Sequence, residues 1–248
     1  MMDAKTIVLL RKYAAEYETA DFLNGDPSWF MHKVDGNENR ETTAFVASAL
    51  SYGNRRQFMP KIEAIVDAAA GNVHEWVMRG DFENFIPHDK AGSYYRLYSY
   101  QTMNTFLRGV RKMLEKYGSI GCYVHENADN CIDAVASLCR WFVEVNSSTV
   151  VPKDTVSACK RLCMFMRWMV RSNSPVDLGL WASFIDRKSL IIPMDTHVLQ
   201  QSVRLGLISS KTATMATAIK LTKTLEEIFP DDPVKGDFAL FGYGVNNS

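Results

Sequence analysis

The chain has 248 residues, its basic and acidic side chains are equal in number, and 47% of its residues are hydrophobic against 23% charged. This balance excludes disorder as the main state, and the length allows a sizeable core in one large domain or two intimate lobes. No apolar run approaches the roughly 20 residues that span a bilayer, and the N-terminus does not resemble a signal peptide, so we expect no membrane partner and a cytoplasmic location.

Hydrophobic periodicity predicts helices along the first half of the chain. The predicted helices cover residues 5–18, 40–52, 58–70, 73–79, 100–117, 120–126 and 130–145. Between them we expect an irregular arm over 22–33, a turn over 35–39 and an aromatic loop over 82–98. The run of tyrosines from Tyr94 to Tyr98 is more typical of core than of a groove that stacks nucleic-acid bases.

The second half is predicted to be helical as well. Helices are expected over 157–171, after Pro193 up to Gly206, over 211–229, and after the break at Pro230–Pro233, with a loop over 172–186. No segment alternates long enough to build a sheet, so the predicted fold class is all-α. We expect one compact unit with two lobes, 40–172 and 1–39 plus 173–248.

Metal and disulfide chemistry have little support in the sequence. The five cysteines are odd in number and contain no Cys-x-x-Cys, which is typical of reduced cytoplasmic thiols. None lies beyond Cys163, which excludes a four-cysteine iron–sulfur cluster near the C-terminus. Asp195 and His197 form the one pair that suggests a metal-dependent hydrolase, and this hypothesis ranks last. We expect no metal and no other cofactor.

Lys160 is the first candidate catalytic residue. It opens a helix that is apolar nearly all round, which is typical of the centre of a fold. Asp154, Thr155 or Ser157 could each cap that helix. The helix dipole and nearby buried surface would both disfavour a charged ammonium and lower its pKa, which makes a lysine nucleophilic. The structural alternative is a surface lysine.

Asp195 is the second candidate, and it stands where a helix N-cap belongs. For an isolated Pro-x-Asp-Thr sequence, a simple cap is the more common interpretation. The region around both candidates is basic, with eleven lysines and arginines against four aspartates from Lys153 to Lys223. Such a concentration suits contacts with phosphates.

Several motifs resemble the helix-hairpin-helix DNA glycosylase superfamily, which includes endonuclease III. Pro-Met-Asp195-Thr-His197-Val, with Lys160 on an earlier helix, is similar to the superfamily's aspartate and lysine segments. The archaeal oxidised-guanine glycosylases are closer in motif, because they place a basic residue seven positions after the lysine, here Arg167. The whole chain also resembles an uncharacterised bacterial family distantly related to that superfamily.

The resemblance implies a two-lobed helical fold with the site between the lobes, and it assigns roles to individual residues. Lys160 and Asp195 would be catalytic, and damaged duplex DNA would be the partner. The implied substrate-binding residues are Asp237, Phe241, Met164, Arg167 and Tyr52, and the implied DNA-binding residues are Lys153, Arg161, Arg55 and Arg56. Met164 and Phe241 replace aromatic residues of the archaeal enzymes, which leaves the base identity open.

Two functions follow as hypotheses. The first is a DNA N-glycosylase with lyase activity on an oxidised purine, in which Lys160 forms a Schiff base and Asp195 stabilises developing positive charge. The second is a non-catalytic helical module that binds nucleic acid or protein. It is motivated by the zero net charge and by residues 151–159, which contain no glycine where the superfamily has a glycine-rich phosphate-binding hairpin.

Overall fold

The computed structural model describes residues 3–247 and is mostly helical, which confirms the coarse fold class. Its first seven helices are α1 (Ala4–Tyr17), α2 (Trp29–His32), α3 (Asn37–Leu50), α4 (Arg55–Ala68), α5 (Val73–Arg79), α6 (Phe82–Phe85) and α7 (Tyr100–Tyr117). The remaining six are α8 (Ile120–Asn127), α9 (Cys131–Glu144), α10 (Lys160–Val170), α11 (Thr196–Arg204), α12 (Met215–Glu226) and α13 (Gly236–Asn246). Short 3-10 helices cover Ala20–Leu23, Arg187–Ser189 and Pro233–Lys235.

Most predicted helices lie within a few residues of the observed ones, but three local expectations were wrong. The aromatic loop contains α6 and an antiparallel hairpin of two strands, β1 (Ser93–Tyr95) and β2 (Tyr98–Ser99). The predicted turn over 35–39 is shorter than expected, because residues 35 and 36 precede α3, which already begins at Asn37. The arm over 22–33 contains α2 and part of a 3-10 helix. Such short elements carry too little periodicity to be predicted from sequence.

The chain divides into two compact units. The first contains Met1–Asn24, Asn130–Val135 and Thr155–Ser248, and the second contains Gly25–Asp129 and Ala136–Asp154. The lobes expected from the sequence grouped α10 with residues 40–172. This division groups α10 with α11, which Asp195 caps, and with α13, which contains Asp237 and Phe241.

Helix α10 is buried within the first unit, as its apolar sequence predicts. Every residue from Leu162 to Val170 is buried. The loop that follows closes the C-terminal end of the helix: the N–H groups of Leu178 and Gly179 donate to the carbonyl of Trp168, at 2.8 and 3.2 Å. Carbonyls at a helix end have no partner within the helix, so the loop satisfies a group that would otherwise be buried without one.

Gly179 is needed in this loop for two reasons, and we expect Gly179→Ala to lower the free energy of unfolding by about 2–4 kcal/mol. Its φ is +66°, and a Cβ would lie 2.8 Å from the Cα of Ser172. Gly206 is a matched control, because its φ is +68° but nothing lies within 4 Å of a Cβ. Gly206→Ala should cost only about 1 kcal/mol. Equal urea-unfolding midpoints for the two variants would contradict the clash.

Two further helices complete the first unit around α13. Helix α1 packs along α13, and α11 packs against it as well. Arg11 on α1 donates to the carbonyl of Ile228, at 3.2 and 3.3 Å, so that α1 is also tied to the end of α12. The N-terminal helix is thereby held to the C-terminal part of the chain by side-chain packing and by hydrogen bonds.

The second unit is built around α3, which is buried at every residue from Glu41 to Leu50. The Phe45 ring stacks with Phe106 and Phe142 at centroid distances of 5.8 and 5.6 Å. The buried Glu41 carboxylate accepts from the first two N–H groups of α8, at 2.8 and 3.0 Å. Its negative charge is favourable there because a helix N-terminus is electropositive.

No helix within residues 3–247 is both long and apolar enough to cross a membrane.

Candidate functional site

Lys160 is the first residue of α10, as its predicted place in the first turns requires. The predicted caps Asp154, Thr155 and Ser157 were wrong, because Cys159 holds the N-cap position and makes no side-chain cap hydrogen bond. The reason is that the chain before α10 is extended. Ser157 forms a β-bridge with Thr214, so it does not adopt helical geometry. The Lys160 side chain is 33% exposed.

Cys159 adopts a left-handed backbone conformation, with φ 45° and ψ 38°. A non-glycine residue there costs about 1–2 kcal/mol and persists only when its surroundings fix it. Cys159 is 4% exposed, so packing supplies that constraint. The sharp turn brings the chain from the extended segment directly into α10 and places Lys160 at the exposed end of an otherwise buried helix.

Asp195 is the N-cap of α11, as predicted. Its Oδ1 accepts from the N–H of Val198 at 2.9 Å, and its Oδ2 lies 3.9 Å from the Lys160 Nζ. One carboxylate therefore caps a helix with one oxygen and faces the ammonium with the other. The structure thus brings together two residues that are 35 positions apart, each at the N-terminal end of its own helix. Both side chains are partly open to solvent, at 33% and 41%.

Asp237, in the first turn of α13, lies within electrostatic range of this pair. Burial raises the pKa of the Asp237 carboxyl, and the Asp195 carboxylate adds to the rise. The Arg167 guanidinium and the Lys160 ammonium oppose it. Arg167 also donates to Asp237 through Nη1. The predicted residues Lys160, Asp195, Asp237 and Arg167 therefore form one charged cluster in the first unit.

Arg167 is held from its other side by a carboxylate that the sequence did not single out as a site residue. Its Nε donates to Asp177 Oδ1 at 3.2 Å, and Asp177 also accepts from Arg171 Nη1. The exposed fractions of the two arginine side chains are 3% each, and that of Asp177 is 0%. Arg171 further pairs with Glu18 at 2.6 Å and with Asp232 at 2.7 Å. We call these six residues (Arg167, Arg171, Asp177, Asp232, Asp237 and Glu18) the buried charge network.

Phe241 lies one turn after Asp237 on α13 and is 38% exposed, whereas Phe238 and Leu240 beside it are buried. Its ring contacts Tyr17 and Phe22 edge-on, at centroid distances of 5.6 and 5.1 Å. An aromatic ring that is held firmly and left partly open is the kind of surface on which a planar ligand stacks.

The other predicted residues are distributed over both units. Met164 lies one turn after Lys160 and is 7% exposed, and Arg161 is half-buried beside Lys160 on α10. The second unit contains Lys153, Tyr52, Arg55 and Arg56. Arg55 and Arg56 open α4, and Arg55 lies 3.6 Å from the Asp26 carboxylate.

In the second unit, the hairpin of β1 and β2 gives the tyrosine run a defined structure. Tyr94, Tyr95 and Tyr98 are buried, in agreement with the interpretation as core. At the tip, Leu97 is 83% exposed, and its N–H donates to the Tyr52 hydroxyl at 3.1 Å. Arg96 has a φ of 49°, and its guanidinium lies 5.4 Å from the centre of the Tyr52 ring. The hairpin thus presents an apolar side chain next to a cation on a fixed turn.

Three groups of residues that the structure places at the candidate site or at the hairpin were not predicted from the sequence. Asp177 and Arg171 were assigned no role, and Tyr17 was part of an unremarkable amphipathic helix. Leu97 was hidden within a run of aromatic residues. Only for Asp177 was there a usable signal, since a lone acidic residue between Val176 and Leu178 in an apolar loop suggests a buried ion pair.

The described residues contain no group of three or more histidine, cysteine, aspartate or glutamate side chains that could hold a metal ion. His197 lies exposed in the first turn of α11. The metal-dependent hydrolase suggested by Asp195 and His197 therefore gains no further ligand from residues 3–247.

Comparison with known proteins gives one match. The model of a family described as "Protein of unknown function (DUF2400)" matches residues 26–246. No curated protein and no solved structure matches the chain. The matched range contains Lys160, Asp195 and Asp237 but begins after α1.

Proposed function

The chain belongs to the DUF2400 family of proteins of unknown function, and we propose that it is a DNA N-glycosylase with abasic-site lyase activity. Its substrate would be duplex DNA with an oxidised purine, and its process would be base-excision repair. The single observation that carries the proposal is the 3.9 Å approach of the Lys160 ammonium to the Asp195 carboxylate at a partly open surface. Asp237, whose carboxyl is within electrostatic range of both, lies one turn before the partly exposed Phe241 on α13.

The proposed chemistry needs one amine and one carboxylate. The Lys160 ammonium first gives a proton to solvent, and the resulting amine attacks C1′ of the damaged nucleotide. The N-glycosidic bond breaks, and the base leaves with the bonding electrons and takes up the proton that the attacking nitrogen loses. The sugar ring opens to a Schiff base with the lysine. Loss of a proton from C2′ then expels the 3′ phosphate, and water hydrolyses the Schiff base to release the enzyme.

Asp195 suits the role of stabilising the transition state because its two carboxylate oxygens have different partners. Oδ1 accepts a hydrogen bond from the Val198 N–H, which sets the direction of the carboxylate. Oδ2 faces the amine and would stabilise the positive charge that develops on the sugar as the base departs. A carboxylate fixed before the reaction needs no reorientation in the transition state.

The base pocket in this proposal is formed by α13. A glycosylase must take its target base out of the helical stack and hold it in a pocket. Phe241 would stack on the extruded base, and Asp237 would accept from its N–H groups. Arg167 holds Asp237 in place and partly compensates the charge of this carboxylate, which is 18% exposed. The residues are consistent with a planar base that carries hydrogen-bond donors, such as an oxidised purine.

The second unit offers surfaces suited to the DNA itself. Arg55 and Arg56 open α4, where two guanidinium groups could contact phosphates. Leu97 at the hairpin tip has the form of an apolar wedge, which proteins insert between base steps when they kink or open a duplex. Arg96 beside it would neutralise a neighbouring phosphate.

The finer fold assignment, a two-lobed helix-hairpin-helix glycosylase fold, is part of the same proposal. It is supported by the order of a lysine helix followed by an aspartate-capped helix and a final helix with Asp237 and Phe241. The glycine-rich hairpin of that superfamily is absent from the sequence, so phosphate binding here would depend on side chains such as Lys153.

Borohydride trapping tests the proposal directly. Wild-type protein is incubated with sodium borohydride and duplexes that carry oxidised, deaminated or alkylated bases or an abasic site. Reduction of the Schiff base fixes a covalent adduct, so we expect a stable protein–DNA complex with the oxidised purine and with the abasic site. If folded protein gives no adduct with any duplex, lysine chemistry on DNA is excluded.

Asp195→Asn separates the two functions of this side chain. Asparagine is as good an N-cap as aspartate, so the free energy of unfolding should stay within about 0.5 kcal/mol of wild type. The charge facing Lys160 is lost, and the single-turnover excision rate should fall about 100-fold. Asp186 caps a 3-10 helix through Lys188 N–H at 2.9 Å, so Asp186→Asn is a matched control that should keep full activity. Equal rates for both variants would rule out the proposed role of Asp195.

The alternative is a non-catalytic nucleic-acid-binding member, and one specific observation favours it. Residues 151–159, which lead into α10, contain no glycine for the backbone nest that grips a phosphate in the catalytic superfamily. Such a module would show salt-dependent DNA binding without release of any base. Reproducible excision of a damaged base by wild-type protein, lost in Lys160→Ala, would exclude it.

A further inference from the structure

The N-terminal segment with α1 and the following 3-10 helix lies before the range that the family model matches, residues 26–246. It nevertheless contacts the candidate site at two places. We infer that Tyr17 and Phe22 are positioning residues that fix the Phe241 ring for stacking on an extruded nucleobase, and that Glu18 secures this segment through the buried charge network. The inference rests on the proposed function, which it deepens by extending the base pocket to the N-terminal segment.

The contacts with Phe241 come from two separate parts of the segment. Tyr17 is the last residue of α1, and Phe22 lies in the 3-10 helix that follows. Both rings are inclined by 72° to the Phe241 ring. Two edge-on contacts, one from the end of α1 and one from the 3-10 helix, restrict rotation of the ring about its side-chain torsions.

Tyr17 is itself fixed against α13. Its hydroxyl oxygen accepts from the Asn246 side chain at 2.7 Å, and the same amide nitrogen donates to the Gly242 carbonyl at 2.8 Å. A Cβ at Gly242 would collide with the Tyr17 ring, so the close approach depends on glycine next to Phe241. Tyr17 therefore spans α13 from Gly242 to Asn246 with Phe241 against its ring.

Glu18 secures the segment through charge. Its carboxylate pairs with Arg171 at 2.6 Å and with Lys235, just before α13, at 3.3 Å. Arg171 and Arg167 share Asp177, and Arg167 holds Asp237. Tyr17, the last residue of α1, thus packs against Phe241, and Glu18, the C-cap of α1, is linked to Asp237 through successive ion pairs. Phe241 and Asp237 are the two parts of the proposed base pocket.

Exposure distinguishes this arrangement from ordinary core packing. Leu23, Val176 and Phe238 form a buried cluster, and Tyr17 and Phe22 pack on it while remaining only partly buried. Phe241 is 38% exposed on top of these rings. A hydrophobic core would cover Phe241, whereas here its neighbours support it and leave part of it open. The ligand class that fits is a planar aromatic ring, which in the proposed reaction is a nucleobase.

The test uses three full-length variants and two substrates. Tyr17→Leu removes the ring edge and the hydroxyl, and Tyr17→Phe removes only the hydroxyl. Tyr13→Leu is the matched control, because Tyr13 lies on the same helix and its ring contacts Tyr17 and Tyr243, at 6.3 and 6.5 Å. Single-turnover base release is measured on a lesion duplex, and borohydride trapping on a duplex with a preformed abasic site, which has no base to stack.

We expect Tyr17→Leu to slow base release at least about 10-fold, since small misplacements of a positioning surface have effects of this size or larger. Trapping at the abasic site should be unchanged, because Lys160 and Asp195 remain in place. Tyr13→Leu should stay within about 3-fold of wild type on both substrates, and Tyr17→Phe, which keeps the ring edge but loses the hydrogen bond from Asn246, should fall between Tyr13→Leu and Tyr17→Leu in base release. A parallel fall on both substrates, or no fall at all, would overturn the positioning role.

A third measurement separates this inference from the proposed chemistry. The fluorescence of 2-aminopurine is quenched inside a duplex, rises when the base is extruded, and is quenched again when the extruded base stacks on an aromatic ring. If wild-type protein neither releases bases nor forms adducts, the chemistry fails. Weaker emission from the duplex bound to wild type than from the duplex bound to Tyr17→Leu would still support the stacking surface, whereas equal emission from the two complexes would overturn it.

Discussion

Lys160→Ala is expected to abolish borohydride trapping on both lesion and abasic duplexes, a loss of at least about 1,000-fold in adduct formation, because it removes the amine that forms the Schiff base. The fold should be unaffected. Lys160 is the first residue of α10, its side chain is 33% exposed, and its salt bridge with Asp195 is 3.9 Å long. Exposed pairs of this kind contribute about 0–1 kcal/mol, and alanine is a good residue at a helix start.

Lys220→Ala provides the matched control, since Lys220 is an exposed lysine on α12 in the same unit. It should form adducts at the wild-type rate, and both variants should give the far-ultraviolet circular dichroism spectrum of the wild type. Trapping of Lys160→Ala at the full level would show that another amine reacts. Lys160 would then have no place in the chemistry, whatever the affinity for DNA.

Asp177→Ala is expected to destabilise the first unit by about 3–5 kcal/mol, which is the usual cost of removing one partner from a buried ion pair. Asp177 is the shared partner of Arg167 and Arg171, and all three side chains are at least 97% buried. Burial raises the pKa of its carboxyl, and the two guanidinium groups oppose the rise. Without the Asp177 carboxylate, the buried guanidinium groups of Arg167 and Arg171 lose the partner that they share.

The surface pair of Lys188 and Asp231 is the control for that measurement. Its atoms are 3.0 Å apart, but the side chains are 52% and 74% exposed. Asp231→Ala should therefore change the urea-unfolding free energy by less than about 1 kcal/mol. If Asp177→Ala leaves too little folded protein to measure, Asp177→Asn keeps the volume and still removes the charge, and it should lie between the two. A cost for Asp177→Asn no larger than that of Asp231→Ala would contradict the importance of the buried charge network.

These two experiments address different aspects of one site. Lys160 and Asp195 carry the proposed reaction and lie at a partly open surface, where substitutions change rates with little effect on folding. The buried charge network lies behind them and fixes Asp237, so substitutions there affect stability first. The rate effect of Asp177→Asn, measured on molecules that remain folded, should follow from displacement of Arg167 and Asp237.

Lys160 and Asp195 show which features can be predicted from neighbouring residues in the sequence and which cannot. Asp195 was predicted as an N-cap from its place after Pro193, and the structure confirms it because capping depends only on the next three residues. Lys160 was predicted within the first turns for the same reason. Its cap was predicted wrongly, since the choice among Ser157, Thr155 and Asp154 ignored the bridge to Thr214, more than fifty residues away in sequence.

Burial in α10 was likewise predictable for the apolar residues but not for Arg167. The run from Leu162 to Val170 is apolar nearly throughout, so its burial was predictable, but the burial of Arg167 within it was not. A long cation usually lies at the surface. Arg167 is buried because Asp177 and Asp237 come to it from 10 and 70 residues further along the chain. No local pattern contains that information.

Local patterns in the sequence were enough to predict the mostly helical character of this protein, the positions of most helices, the burial of α10 and the capping role of Asp195. These features depend on interactions between residues about four positions apart or fewer, and on the alternation of apolar and polar side chains. No local pattern predicted four other features: the approach of Lys160 to Asp195, the contacts of Tyr17 and Phe22 with Phe241, the place of Glu18 in the buried charge network, and the exposure of Leu97 at a hairpin tip. Those contacts depend on how whole helices and strands pack, which is set by many weak interactions acting together across long sequence separations.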